Sequence, residues 1–184
     1  MLFAPDTEEA LDFVVALANT APGASRTGDD ELTTIADLTE LLSRYVFTGR
    51  IDHDDAEVEA IRQTRTLLRE VWTLDRDDAV HAVNRMLREA RALPYLTRHD
   101  DSDWHMHATD PGAPLAERVR VEAALALIDV IRMNETGRLR VCGADDCTGL
   151  FIDLSRNGSK RFCSVRCGNR VNMTAFRARR AHHD

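Results

Sequence analysis

All four cysteines of this 184-residue chain lie in its last quarter. They form two close pairs, Cys142 with Cys147 and Cys163 with Cys167, with fifteen residues between the pairs. Two such pairs are typical of a tetrahedral structural zinc site, because each pair supplies two thiolates from one short segment. In a reducing compartment, four clustered thiols bind metal more often than they form disulfides. The spacing therefore predicts one structural Zn²⁺ per chain.

A catalytic role for this zinc is not expected. Four thiolates close the coordination shell, whereas a catalytic zinc keeps one position open for water and usually has histidine or carboxylate ligands. The sequence contains no His-Glu-x-x-His motif, and the pair His182-His183 has no general base beside it. Since no acid–base or nucleophile constellation occurs elsewhere, we expect a protein that is not an enzyme.

Charge is distributed unevenly along the chain. Residues 138–184 carry ten Lys and Arg against four Asp and Glu, a formal charge of +6, whereas residues 1–137 carry a formal charge of −13. An acidic body with one basic end is typical of a protein that contacts a polyanion through that end alone. We therefore expect DNA as the partner, with RNA or protein docking as alternatives.

The basic residues of the last segment are arranged for phosphate binding. After Cys163 the sequence is compatible with a helix, and at helical spacing one stripe would contain Arg166, Arg170, Met173, Arg177 and Arg180. Guanidinium groups held at fixed positions bind phosphates and can read guanine edges. Alternatively, some of these arginines, Arg170 in particular, pack within the protein. The predicted nucleic-acid contacts are Arg156, Lys160, Arg161, Arg166, Arg170, Arg177 and Arg180.

Residues 1–133 show mainly the apolar periodicity of helices. One amphipathic helix is predicted from Ile35 to about Val46, ending near Gly49. A long, unusually apolar helix, predicted from about Leu115 to Met133, should be the central one. Capping boxes are expected at Asp6 with Glu9 and at Asp54 with Glu57, and a further helix should start at Asp75 or Asp77. The long helix should have Pro114 in its first turn and Gly137 as its stop.

The segment 94–107 interrupts the helical pattern. Two short strands, 94–97 and 104–107, are predicted around a polar turn. The hairpin contains three histidines, His99, His105 and His107, which we considered as a metal site. No nearby residues complete a recognisable ligand set, so a solvated strand face is the favoured interpretation.

The cysteine segment has its own predicted elements. Residues 139–141 and 150–153 indicate strands, and Asn157-Gly158 is a strong hairpin signal that would return the chain towards Cys163. A helix is predicted from Ser164 to about Ala181, and its first turn would direct Cys163 and Cys167 at the same metal. A knuckle, a hairpin and a ligand-bearing helix together indicate a treble-clef-like zinc finger.

These residues resemble the CGNR zinc-finger family, whose motif stands here as Cys167-Gly168-Asn169-Arg170. Similar segments in the finger are residues 141–142, 147, 151–153, 155–157 and 161–164. The helical layout and residues 10–14 resemble the associated N-terminal domain, the ABATE-type putative stress-induced transcription regulator. The resemblance implies a mainly α protein with a helical N-terminal domain and a C-terminal four-cysteine finger.

Two domains follow, residues 1–137 and 138–184. The expected function is DNA-binding transcriptional regulation, in which the N-terminal domain senses a small ligand or forms a homodimer. The alternatives are a zinc-finger protein-interaction module and a thiol- or zinc-based redox sensor. Nothing in the sequence resembles a signal peptide or membrane-spanning helix, so we expect a cytoplasmic protein without a membrane partner.

Overall fold

The computed structural model describes residues 2–98 and 104–181. Helices dominate, and the two small sheets have two strands each, which confirms the mainly α fold. In chain order the elements are α1 (Pro5–Ala18), α2 (Ile35–Leu42), α3 (Asp55–Trp72), α4 (Arg76–Glu89), β1 (Tyr95–Thr97), β2 (His105–His107), α5 (Leu115–Arg132), a 3₁₀ turn (Thr136–Arg138), β3 (Leu139–Val141), β4 (Leu150–Ile152) and α6 (Val165–Ala181). No helix of the described ranges is long and apolar enough to cross a membrane.

The central helix is α5, which packs against α1, α3 and α4. Its apolar side chains are buried along most of its length, including Leu115, Val119 and Leu127. Gly137 was expected to end this helix, but it lies in the 3₁₀ turn. Asn134, just after the helix, has a φ of 59°. Asparagine tolerates this left-handed conformation better than most residues, so it can end a helix as glycine does.

Two helix starts lie at the predicted residues, but the capping box expected at Asp54 and Glu57 is only half formed. The Glu57 carboxylate accepts hydrogen bonds from the N–H groups of Asp52 and His53 instead of that of Asp54. The Asp54 carboxylate accepts a hydrogen bond from the Glu57 backbone N–H at 2.8 Å ahead of α3. Asp75 accepts one from the Asp78 N–H at 2.9 Å ahead of α4. Each side chain satisfies an amide that the first helical turn would otherwise leave without a partner.

The capping box expected at Asp6 and Glu9 is wrong. Helix α1 begins one residue before Asp6, at Pro5, and Ala4 in the N-cap position offers no side-chain acceptor. Proline suits the first helical position because it has no N–H to satisfy there. Glu8 instead accepts hydrogen bonds from two backbone N–H groups that precede the helix.

Helix α2 is shorter than predicted, since it ends at Leu42. The apolar residues beyond it serve a different purpose. The rings of Tyr45 and Phe47 pack edge-on around Phe13 of α1, with centroid distances of 5.1 and 4.7 Å. Gly49 is nevertheless a true backbone requirement, because it has a φ of 86° and a Cβ there would lie 2.4 Å from the Pro111 carbonyl oxygen.

Both sheets are antiparallel hairpins. As predicted, β1 pairs with β2, with Tyr95 opposite His107. Strand β4 pairs with β3, so that Leu139 lies opposite Ile152. The hairpin expected around Asn157-Gly158 is wrong: Gly158 forms a turn through a 3.1 Å hydrogen bond to the Ser155 carbonyl, but no described strand follows it.

The β3–β4 hairpin docks on the helical part of the protein. Leu150 of β4 is 1% exposed and belongs to the same apolar core as α1 and α5. The Arg69 guanidinium donates to the carbonyls of Ala18 and Thr148 at 2.8 and 3.0 Å, bridging α1 and the hairpin. Trp72 donates its indole N–H to the Arg140 carbonyl at 3.3 Å. The hairpin is therefore packed as part of one body with helices α1 and α3.

Candidate zinc centre and arginine helix

The four cysteines converge as predicted. Their sulfur atoms all lie within 4.8 Å of one another. The Cys163 sulfur lies 3.7 Å from the sulfurs of both Cys147 and Cys167. A tetrahedral zinc with Zn–S bonds of about 2.3 Å places its sulfurs about 3.8 Å apart, so the cluster has the dimensions that one zinc requires. Cys142 and Cys167 are buried, while the other two are half-buried.

The first cysteine pair lies in the knuckle between β3 and β4. The Cys142 backbone N–H donates to the Gly149 carbonyl at 2.7 Å, which closes the loop. A Cβ at Gly149 would lie 3.0 Å from the Cys163 sulfur and 3.2 Å from the Cys147 sulfur. Any side chain at this position would push on two ligands, so the glycine is part of the site.

The second pair is fixed by the start of α6. Ser164 accepts a hydrogen bond from the Cys167 N–H at 3.2 Å, so its side chain stabilises the first turn of the helix. Cys163 lies just before the helix and Cys167 in its first turn. A metal held by both residues fixes the position at which α6 leaves the finger.

The cysteines of the cluster differ in how readily they lose the proton that zinc must replace. Burial raises the pKa of Cys147 and, together with hydrogen bonds among the thiols, that of Cys163. Burial would also raise the pKa of Cys167, but hydrogen bonds with Ser164 and the other thiols outweigh it and lower this pKa to about 7. Zinc binding replaces the thiol protons and supplies the positive charge that four thiolates need.

The fold and this site define a helical domain joined to a four-thiolate zinc finger. Residues 138–180 match the family model of the CGNR zinc finger, and residues 11–134 match the model described as "Putative stress-induced transcription regulator", ABATE. The second match covers more than half of the chain, so the protein belongs to the ABATE family and carries a CGNR zinc finger. Both resemblances seen in the sequence are thereby confirmed, as is the single structural zinc. A search of curated proteins finds no match to the chain.

Three residues of the Cys-Gly-Asn-Arg motif, Cys167, Gly168 and Arg170, have structural roles in the finger. A Cβ at Gly168 would lie 3.3 Å from the Phe162 ring, so the glycine lets the helix pack closely on that ring. Arg170 donates to the Asp146 carboxylate at 2.6 Å and to the Cys167 sulfur at 3.6 Å. Arg170 thus joins the helix to the first knuckle and stabilises a zinc ligand.

Other predicted nucleic-acid contacts are also engaged within the protein. Arg166 donates to the Arg26 carbonyl at 2.8 Å. Lys160 lies over the Phe151 ring at 5.1 Å, and Arg161 lies over the Phe162 ring at 5.6 Å. All three residues are nevertheless exposed.

The outer part of α6 is different. Arg177 and Arg180 are exposed, and within the described residues neither forms an ion pair with the acidic body. Arg180 lies over the Phe176 ring at 6.0 Å. Arg156, in the loop after β4, is likewise exposed. Within the described residues, the side chains of Arg156 and Arg177 form no hydrogen bond, ion pair or ring contact, and the ring contact of Arg180 is with a residue of its own helix.

Several structural residues of the finger were missed by sequence reasoning. The Asp153 carboxylate is fully buried and accepts hydrogen bonds from Ser155 and from the Lys160 backbone N–H. Arg138 and Arg140 donate to backbone carbonyls between residues 137 and 160. The only signal was that Asp153 belongs to the segment that resembles the finger family. Because these arginines hold the loop, they are not available for phosphate.

A cavity of about 580 Å³ lies in the helical domain, between α1, α5, the segment after α2 and the β1–β2 hairpin. His105 and His107 are half-buried in its wall, and His107 Nδ1 lies 2.7 Å from the Glu122 carboxylate. These two histidines are thus partly exposed in the cavity wall rather than on a fully solvated strand face. His99 lies outside the described residues. Among the described residues, the one group of three or more potential metal ligands is the cysteine cluster.

Proposed function

We propose that this protein is a DNA-binding transcriptional regulator and not an enzyme. The observation that carries the proposal is the geometry of α6: two zinc ligands hold its start, and its outer turns present exposed arginines. Arginines on a helix of fixed orientation can contact phosphates and base edges together. The closed shell of four thiolates supports a structural role for the zinc.

The charge distribution along the chain supports α6 as the DNA-binding surface. The formal charge of +6 on residues 138–184 contrasts with −13 on residues 1–137, so the body repels a polyanion and the finger attracts it. Within the finger, Arg170 is occupied by Asp146 and Cys167. Arg177 and Arg180 are therefore the principal proposed contacts, with Arg156, Lys160, Arg161 and Arg166 at the flanks.

The helical domain supplies the regulatory part of the proposal. Its cavity has the volume of a small-molecule site, which supports sensing of a ligand. Formation of a homodimer through this domain is the alternative route to regulation. The protein would act in the cytoplasm, where thiolates remain reduced and available to zinc.

Fluorescence anisotropy on a labelled mixed-sequence DNA duplex, measured across a salt series, tests DNA binding. The variant Arg177→Ala/Arg180→Ala should keep its zinc and fold, because both residues lie beyond the last ligand. Its affinity should fall, and the slope of log affinity against log salt should decrease by about one per lost phosphate contact. The control Arg85→Ala/Arg88→Ala removes two exposed arginines at the same spacing on α4 and should bind as the parent does.

Two results would reject the proposal. The first is that the parent fails to bind DNA even at low salt. The second is that the Arg177/Arg180 variant binds with unchanged affinity and salt slope.

Docking to another protein is the second candidate, because α6 also exposes apolar side chains. Met173 is 50% exposed, Phe176 47% and Val165 80%. An apolar docking surface would lose affinity on truncation of Phe176, with little dependence on salt. The salt series therefore separates the two candidates.

A further inference from the structure

Aromatic residues are concentrated around the cavity of the helical domain. The chain has ten aromatic residues in all, and five of them line this one cavity. They come from three separate segments, so the fold gathers them rather than the local sequence. These five are Phe13, Tyr45, Phe47, Tyr95 and Trp104.

The charges in the wall have one predominant sign. Among the described residues that line the cavity, three carry carboxylates, Asp6, Glu9 and Glu122, and one carries a guanidinium, Arg118. Arg118 is buried, and it donates hydrogen bonds to the backbone carbonyls of Thr48, Arg50 and Ala113. Each of its three nitrogens therefore donates to the backbone and holds the wall together.

Glu122 is held in a defined position within this wall. His107 Nδ1 lies 2.7 Å from Glu122 Oε1, and His105 Nε2 lies 3.1 Å from His107 Nε2. When His107 is neutral and its Nδ1–H donates to the carboxylate, its Nε2 accepts from His105. These hydrogen bonds fix one oxygen of Glu122, while the Glu122 side chain remains 32% exposed.

Aromatic faces and carboxylates attract the same kind of ligand. A ring quadrupole is negative at its face and binds cations, and the attraction increases where water is excluded. The volume of about 580 Å³ accommodates a drug-sized molecule. We propose that the cavity binds an organic cation with aryl groups, which rests on the sensing role proposed above and names its ligand class.

Two ions of the same shape and opposite charge test this inference. Tetraphenylphosphonium and tetraphenylborate are each titrated into the zinc-loaded protein by isothermal calorimetry, without DNA. Trp104 fluorescence gives a second readout, since Trp104 is 65% exposed at the cavity whereas Trp72 is 2% exposed in the core. The phosphonium should bind at least about tenfold more tightly than the borate.

Variants show whether the cavity is the binding site. Glu122→Gln keeps the shape and a hydrogen-bonding group but removes the charge, so phosphonium binding should weaken about tenfold. Glu9→Gln, on the exposed side of α1, should weaken phosphonium binding less. It provides a second test if the Glu122 variant is unstable. Glu89→Gln, an exposed carboxylate on α4 outside the cavity, controls for the general negative charge and should have no effect.

The inference is overturned if neither ion binds, if the borate binds as tightly as the phosphonium, or if Glu122→Gln and Glu9→Gln behave as Glu89→Gln does. Because no DNA is present, these results leave the DNA-binding proposal untouched. A failure to bind DNA would likewise leave the cation result standing.

Discussion

The side chain of Asn19, the residue after α1, forms two hydrogen bonds with the backbone of Leu150 in the finger, in the way that a neighbouring strand would. Its Nδ2 donates to the Leu150 carbonyl at 2.9 Å, and its Oδ1 accepts from the Leu150 N–H at 2.7 Å. One amide side chain thus satisfies both outward-facing backbone groups of Leu150. The Leu150 side chain is buried in the helical core from the same position. Both matched families therefore contribute to a single packed unit.

Removal of this link should destabilise the whole protein. Asn19→Ala leaves the Leu150 N–H and carbonyl without their partners, which should lower the free energy of unfolding by about 2 kcal/mol. Urea denaturation of the zinc-loaded protein measures the change. Asn84→Ala, at an exposed position on α4, is the control and should change stability little. Equal stability of the two variants would show that the Asn19 bonds do not hold the finger.

Whether residues 1–137 and 138–184 are independent domains stays a prediction. A truncated chain ending at residue 133 would lose Leu150 from its core and the contacts of Arg69 and Trp72 with the hairpin. We expect it to be helical but less stable than the full chain, as measured by circular dichroism during thermal unfolding.

Substitution of Cys163 tests the four-thiolate site, because the Cys163 sulfur lies 3.7 Å from the sulfurs of two other ligands. The parent should contain one zinc per chain by elemental analysis. Cys163→Ser should lose it under chelator challenge, since three thiolates bind zinc much more weakly than four. Full zinc retention in this variant would contradict the four-thiolate site.

Gly149 offers a test of the geometry that leaves all four ligands in place. Gly149→Ala would place a methyl group against two ligand sulfurs, at 3.0 and 3.2 Å before relaxation. Zinc affinity should fall about tenfold or more in a competition with a chromogenic chelator. Gly137→Ala is the matched control, because no atom lies within 4 Å of a Cβ at that position. The interpretation fails if both variants bind zinc as the parent does.

A buried ion pair should make stability depend on acid pH. Arg65, only 7% exposed, donates to both oxygens of Asp30 at 2.7 and 2.8 Å. These hydrogen bonds, aided by that of the Leu32 N–H, outweigh burial and lower the pKa of Asp30. A lowered folded-state pKa stabilises the protein above the unfolded value of about 3.9, and this contribution is lost as pH falls through the folded pKa.

Asp30→Asn isolates this contribution from the acid release of zinc, which affects both proteins. The variant should be about 2 kcal/mol less stable than the parent at pH 7, because Arg65 keeps its buried charge without an anionic partner. The difference should shrink as pH falls below about 4 and through the lowered pKa of Asp30, as followed by urea denaturation at each pH. Asp29→Asn, at the exposed neighbouring position, should show no such trend. A difference that is independent of pH would contradict the role of Asp30.

The features predicted correctly are those encoded locally. The cysteine spacing identifies all four ligands, and the N-caps Asp54 and Asp75 follow from residues within one turn of each other. The features missed depend on distant segments. Tyr45 extends an apolar pattern that indicates helix, but its ring is needed against Phe13 of α1. Asn19 has no pattern of its own, because its partner Leu150 lies 131 residues away.

Helix α1 connects the two proposed sites of this protein. Its residues Asp6, Glu9 and Phe13 line the cavity wall, and the residue after its last turn, Asn19, holds β4 of the finger. A helix of 14 residues is a stiff rod about 21 Å long. Tilting such a rod by about 5° around its middle moves each end by about 1 Å, in opposite directions. Helix α1 therefore has the geometry of a lever between the cavity and the zinc finger.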